Sequence, residues 1–144
     1  MKETKKSNRT LGNRFERDLA RMLSELGFWV HLLKQNQDGQ PADIIAVKNN
    51  RAVLIDAKVC SDGAFRTSRI ESNQEASMKM WRLKGNQEWW FACLMPNGEI
   101  RMLDGITACR WSKMTISEQE MEMLPTLIEW RRGFEIRNWS GINH

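Results

Sequence analysis

Two apolar, strand-like runs, Asp43-Ile-Ile-Ala-Val-Lys48 and Arg51-Ala-Val-Leu-Ile-Asp-Ala-Lys58, are separated by just two residues, Asn49 and Asn50. Asparagine tolerates the positive φ that a two-residue hairpin turn requires at its central positions. With Asn49-Asn50 as the loop, Lys48 pairs with Arg51, and every further pair of residue numbers sums to 99. Asp43 then lies directly opposite Asp56. Side chains so placed sit about 4.5–5.5 Å apart at Cβ, and like charges there destabilise the pair. A cation bridging the two carboxylates turns that repulsion into attraction. Lys58 lies two residues beyond Asp56 and shares its face, whereas Ala57 points the other way. Both runs are apolar on both faces, which predicts a hairpin inside a sheet covered on each side.

The flanking segments supply the cover. Phe15, Leu19, Met22, Leu23 and Leu26 recur at helical spacing, so a helix is predicted over about 12–26, stopped by Gly27. Phe28–Leu33 reads as a strand and Lys34–Pro41 as a loop. Ser68-Arg-Ile-Glu71 has the pattern of a capping box opening a second helix over about 69–84, stopped by Gly85. Trp89–Met95 and Glu99–Leu103, joined by Pro96-Asn97-Gly98, form a second hairpin. Ser117-Glu-Gln-Glu120 caps a last helical region reaching Gly133, which Pro125 must start, kink or divide. The order is helix, strand, hairpin, helix, hairpin, helix: an α/β domain over 12–133, between a flexible basic arm (1–11) and a C-terminal tail (134–144).

Two further polar residues face inward. Glu16 lies beside the apolar stripe of the first helix, and Gln74 shares a stripe with Ile70, Ser77, Met78 and Trp81 in the second. A carboxylate facing inward needs a partner, a metal or a raised pKa. Taken singly, an Asp at a strand start caps a turn, a helical Glu is solvated and an internal Gln satisfies the backbone. Three acids and a lysine converging on one place point instead to a functional cluster. Its donors are hard oxygens, suited to Mg²⁺ or Mn²⁺, with no soft ligand for zinc.

Charge and composition narrow the partners. The net charge is +4, from 22 Lys and Arg against 18 Asp and Glu. Residues 1–21 hold seven basic and three acidic residues, so the excess sits at one end. An anionic partner gripped by a basic arm fits that asymmetry. The longest apolar run, Trp89–Met95, falls far short of the roughly 20 residues of a membrane helix. No apolar segment follows the basic N-terminus as a secretory signal would require, and Cys60, Cys93 and Cys109 lack metal or disulfide spacing. They read as reduced thiols in a cytoplasmic protein. With two histidines and no tyrosine, nuclease mechanisms built on several histidines or a tyrosine nucleophile are excluded.

The blocks Gly12-Asn-Arg-Phe-Glu16, Pro41-Ala-Asp43 and Asp56-Ala-Lys58 resemble, in order and placement, the PD-(D/E)XK nuclease superfamily. Together with Gly27-Phe-Trp-Val30 and Asp43-Ile-Ile-Ala46, they are similar to Holliday-junction resolvases of the archaeal and RecU-like types, over about residues 12–94. The resemblance implies a restriction-endonuclease-like core, a mixed central β-sheet flanked by helices in the order αβββαββα. It implies Glu16, Asp43 and Asp56 as metal-binding acids with the Ala57 carbonyl as a further ligand, Lys58 as the catalytic lysine, and Gln74 as the polar residue of the following helix. Mg²⁺, with Mn²⁺ as substitute, and a homodimer acting on four-way DNA junctions in recombination and repair go with it. An alanine separates Pro41 from Asp43, the third acid is Asp where Glu is common, and the Lys34–Pro41 loop is too short for the RecU-like stalk. The alternatives are a nuclease of the same fold acting on duplex ends, flaps or specific sites, and a non-catalytic structure-specific DNA-binding protein. Phosphate contacts are expected from Lys2, Lys5, Lys6, Arg9, Arg14, Arg66 and Arg69, which position a backbone without reading bases.

Overall fold

The computed structural model describes residues 2–33, 40–110 and 114–135, with side chains from Thr10 onward. Helix α1 (Lys2–Glu25) starts well before Gly12, so the expected flexible arm is helical from Lys2. Its first turns show no apolar period in sequence, but they are rich in Lys, Glu and Arg, residues of high intrinsic helix propensity. The helix closes at Gly27, φ 95°, where Gly27 N–H donates to Ser24 O and Phe28 N–H to Leu23 O, both at 3.0 Å. These are the paired bonds of a left-handed glycine cap.

Strands β1 (Trp29–Leu32), β2 (Ile44–Lys48), β3 (Arg51–Val59), β5 (Trp89–Leu94) and β6 (Ile100–Asp104) make one sheet in the order β1-β2-β3-β5-β6. The β2–β3 pairs are Lys48↔Arg51 through Ile44↔Ile55, the register that the Asn-Asn turn predicts. Asn49 and Asn50 adopt φ 51° and 67°. β3 pairs with β5 in parallel and β5 with β6 antiparallel, so the sheet is mixed. The parallel step is made by helix α2 (Ser72–Leu83), which crosses over between β3 and β5.

One core lies on each face of the sheet. Phe15, Leu19 and Leu23 of α1 pack with Phe28, Ile44, Ile55, Trp130 and Phe134 on one side. Phe65, Met78, Trp89, Phe91, Ala108 and Met121 pack on the other. β3 is therefore buried on both faces at its centre, as its unbroken apolar run requires.

Several boundaries move. Helix α2 begins after Glu71, not after Ser68, because Thr67–Arg69 forms a separate 3₁₀ turn. Pro125 divides the last region into α4 (Glu118–Met121), capped by Ser117, and α5 (Leu127–Arg131), capped by Thr126. Helix α3 (Gly105–Arg110) and a two-stranded ribbon, β4 (Phe65–Arg66) with β7 (Thr115–Ile116), were not anticipated. Phe134 is 2% exposed, so the core runs past the expected boundary at 133; residues 136–144, with Trp139, lie outside the described residues. Trp29 is 62% exposed on edge strand β1 and stacks on His31 with ring centroids 6.1 Å apart. Cys60, Cys93 and Cys109 are free thiols. No helix among the described residues is long and apolar enough to cross a membrane.

Candidate active site

The buried polar or charged side chains among the described residues are Asp43, Asp56 and Gln74. Asp43 precedes β2; its backbone N–H donates to Ile55 O at 3.1 Å and its carbonyl accepts from Leu33 at 2.8 Å. Asp56 lies on central strand β3, in register with Phe91 of β5. Glu16 reaches the same place from α1, half-buried, and shares a side-chain hydrogen bond with Asp43. Asp43 and Asp56 interact side chain to side chain as well, so the three acids adjoin one another. Ala57 N–H donates to Asp43 Oδ2 at 2.8 Å, and Gln40 Nε2 donates to Asp43 Oδ1. Lys58 Nζ sits 3.1 Å from Asp56 Oδ2 and donates to the Arg69 carbonyl at 3.2 Å.

The electrostatics follow from burial. Desolvation raises the Asp56 pKa to about 7, and the neighbouring Asp43 charge adds to it, against the opposing pull of Lys58. Asp43 is raised to about 6, again chiefly by burial, while the Ala57 N–H works the other way. Burial also raises Glu16, with Asp56 adding to the effect. Burial and mutual repulsion thus disfavour full ionisation of the three acids, while the Lys58 ammonium favours it at Asp56. The donor set is all hard oxygen, the chemistry of a divalent-cation site. As they stand, no three His, Cys, Asp or Glu side chains among the described residues are spaced to hold a metal ion. The acids are drawn instead onto one another, onto Ala57 N–H and onto Lys58.

Glu16, Asp43, Asp56 and Lys58, picked out from the sequence, therefore meet. Gln74 is buried, but its Oε1 accepts from Glu71 N–H at 3.2 Å, closing the first turn of α2. Its neighbour Asn73 is the link to the acids, donating from Nδ2 to Gln40 O at 3.0 Å. Arg14 is exposed on α1, 4.0 Å from Asp18, and Arg66 is held by Asp62 at 2.6 Å. Arg69 is exposed and donates to Val59 O at 2.7 Å. The side chains of Lys2, Lys5, Lys6 and Arg9 lie outside the described residues. Gln40 and Asn73 escaped sequence reasoning. Gln40 sits in a polar loop, its sole signal being the place before Pro41, and Asn73 joins it through a contact across 33 residues. Beside the acids, a cleft of about 460 Å³ opens between Leu11-Gly12 of α1 and the end of β3, lined by Ala57, Arg66 and Arg69.

A family model described as archaeal Holliday junction resolvase (Hjc) matches residues 7–132. Among solved structures, Hjc from Archaeoglobus fulgidus, a Holliday junction resolvase from an archaeal hyperthermophile, aligns with a TM-score of 0.65 at 20% identity. The alignment covers 88% of this chain and 98% of that one, and it shows a shared fold. No curated protein matches the chain. The family match runs from α1 through α5 and takes in every element that carries an acid, so the chain belongs to the archaeal Holliday junction resolvase (Hjc) family, within the PD-(D/E)XK superfamily.

Proposed function

We propose that this protein is a metal-dependent endonuclease that resolves four-way DNA junctions. The observation that carries the reading is the meeting of Glu16, Asp43, Asp56 and Lys58 at one point of the sheet, in a chain of this family. A surface evolved only to bind phosphates gains nothing from three adjoining carboxylates.

Glu16, Asp43 and Asp56, with the Ala57 carbonyl, are the donors we assign to Mg²⁺, or Mn²⁺ in its place. When bound there, such an ion would supply an activated water and positive charge at the scissile phosphate. Ala57 N–H and Gln40 hold the Asp43 carboxylate in its orientation. Lys58 presents a compact ammonium toward the oxyanion that develops at phosphorus. Gln74 acts at one remove, closing the turn from which Asn73 holds Gln40. Arg14 and Arg66, with the basic residues Lys2, Lys5, Lys6 and Arg9, are the phosphate contacts. A homodimer sets two such sites against the two symmetric strands of a junction.

The test is cleavage of a synthetic four-way junction beside linear duplex and a flap, with Mg²⁺ and with EDTA. Paired symmetric nicks on the junction alone, and only with Mg²⁺, are expected. Equal cutting of duplex or flap assigns the site to another DNA substrate, and intact DNA in every lane overturns the nuclease reading.

A further inference from the structure

Lys58 carries a flexible four-carbon stem with three rotatable donors, so its ammonium has no fixed place unless its surroundings impose one. Here it is held from two sides. Asp56 Oδ2 lies 3.1 Å away, and the main-chain carbonyl of Arg69 accepts from Nζ at 3.2 Å. The Phe91 ring completes the seat, 5.9 Å from Nζ to its centroid. Lys58 is left with 11% of its side chain exposed.

The carbonyl belongs to the last residue of the 3₁₀ turn Thr67–Arg69. The side chain of that same residue runs back to the strand, where Nη1 donates to Val59 O at 2.7 Å. Two oppositely directed hydrogen bonds thus fasten one residue of the turn to consecutive residues of β3. Arg66 is arranged differently, its guanidinium taken up by Asp62 through bonds of 2.6 and 3.2 Å. The two arginines, alike in sequence, do different things in the structure.

We propose that Arg69 is a positioning residue for the Lys58 ammonium: its guanidinium pins the turn whose carbonyl holds Nζ beside Asp56. The proposal rests on reading Lys58 as the cation of phosphodiester cleavage, and it changes the part given to Arg69 from phosphate contact to support. The turn has other anchors. Upstream, β4 pairs with β7 and Thr67 N–H donates to Met114 O; downstream, α2 carries its own cap at Glu71 and Gln74. Removing the guanidinium therefore loosens the seat of Lys58 without unfolding its surroundings.

The experiment compares wild type with Arg69→Ala and Arg69→Lys in three measurements. First, the metal-free folded proteins are acylated briefly with an amine-reactive ester, and modification at Lys58 is quantified by mass spectrometry against the other lysines. Arg69→Ala should raise Lys58 labelling severalfold, and Arg69→Lys, which restores a donor toward Val59 O, should bring most of it back. Second, the single-turnover cleavage rate at saturating enzyme should fall about tenfold or more in Arg69→Ala, since small misplacement of a catalytic group is costly. Third, DNA affinity in EDTA and its salt dependence should stay near wild type. Unchanged Lys58 labelling overturns the proposal. So does a normal cleavage rate joined to weaker binding with a salt slope reduced by about 1, the mark of a lost phosphate contact. If wild type cuts no DNA, it is the nuclease reading that fails, while the labelling measurement still decides whether Arg69 seats Lys58.

Discussion

At the residue scale the site is a set of acids whose ionisation burial makes costly. Asp43 and Asp56 titrate near 6 and 7 in the folded protein because burial disfavours their ionised forms. In the unfolded chain both give up their protons near 3.8. The folded state thus binds more protons across the interval, and stability falls as pH rises. The contribution of these acids is fully present below pH about 4 and is lost as pH rises through 6 and 7. Metal-free protein should therefore be less stable at pH 8 than at pH 5 by on the order of 3 kcal/mol from this source. Asp56→Asn, which cannot ionise, should reduce the slope between those pH values to the share owed to Asp43, melt higher than wild type at pH 8, and cleave no DNA. Parallel thermal melts of the two proteins from pH 5 to 8 check it; identical slopes would remove the acids as the cause. Asp56 was readable from sequence because hairpin register is a one-dimensional count. Gln40, which donates to Asp43, was not, because nothing in a polar loop says where its amide will point.

At the element scale, what could be read depended on how many residues shared one signal. The hairpin β2–β3, the stripe of α1 and the β5–β6 hairpin each repeat a pattern over several turns or pairs. The six-residue α3 and the two-residue strands β4 and β7 are too short to show any period, and they exist through tertiary contact. The start of α2 was misplaced because Ser68-x-x-Glu71 and Glu71-x-x-Gln74 both fit a cap, and burial of Gln74 selects the second. Gln74→Ala should accordingly lower stability by about 1 kcal/mol, the usual worth of a cap bond. Gln74→Glu keeps the acceptor but buries a carboxylate, and should lower it more at neutral pH; urea melts would show the order. At the turn of the first hairpin, Asn50 holds φ 67° and its side chain makes no hydrogen bond among the described residues. Asn50→Val should cost about 1–2 kcal/mol from backbone strain alone. A loss under half that size would mean the turn relaxes to another type.

At the scale of the whole molecule, the question is how a chain of net charge +4 presents three adjoining acids to a polyanion. Residues 1–21 supply the entire excess, and the remainder is balanced, so the surplus positive charge lies in the same segment that brings Glu16 to the other acids. Between those acids and a phosphate, the sign of the local field depends on what neutralises the carboxylates. Without metal, protons do so below about pH 6, and by pH 8 Asp43 and Asp56 are both ionised. A phosphate approaching within the roughly 10 Å screening length at 0.1 M salt then meets repulsion that was absent at the lower pH. Metal-free protein should therefore bind a four-way junction about 3–10-fold more weakly at pH 8 than at pH 6, a fraction of what two unscreened charges would produce. The Asp43→Asn, Asp56→Asn double variant should lose that dependence. His31 and His144 are present in both proteins, so the difference between the two profiles isolates the acids. Mg²⁺ added to wild type should flatten the profile as the double variant does, because a divalent cation replaces the protons, and it should leave the double variant unmoved. Fluorescence anisotropy with a labelled junction, uncleavable at the cut sites, measures all four conditions. A wild-type profile that keeps its slope in Mg²⁺ would mean the ion is held elsewhere than on Asp43 and Asp56.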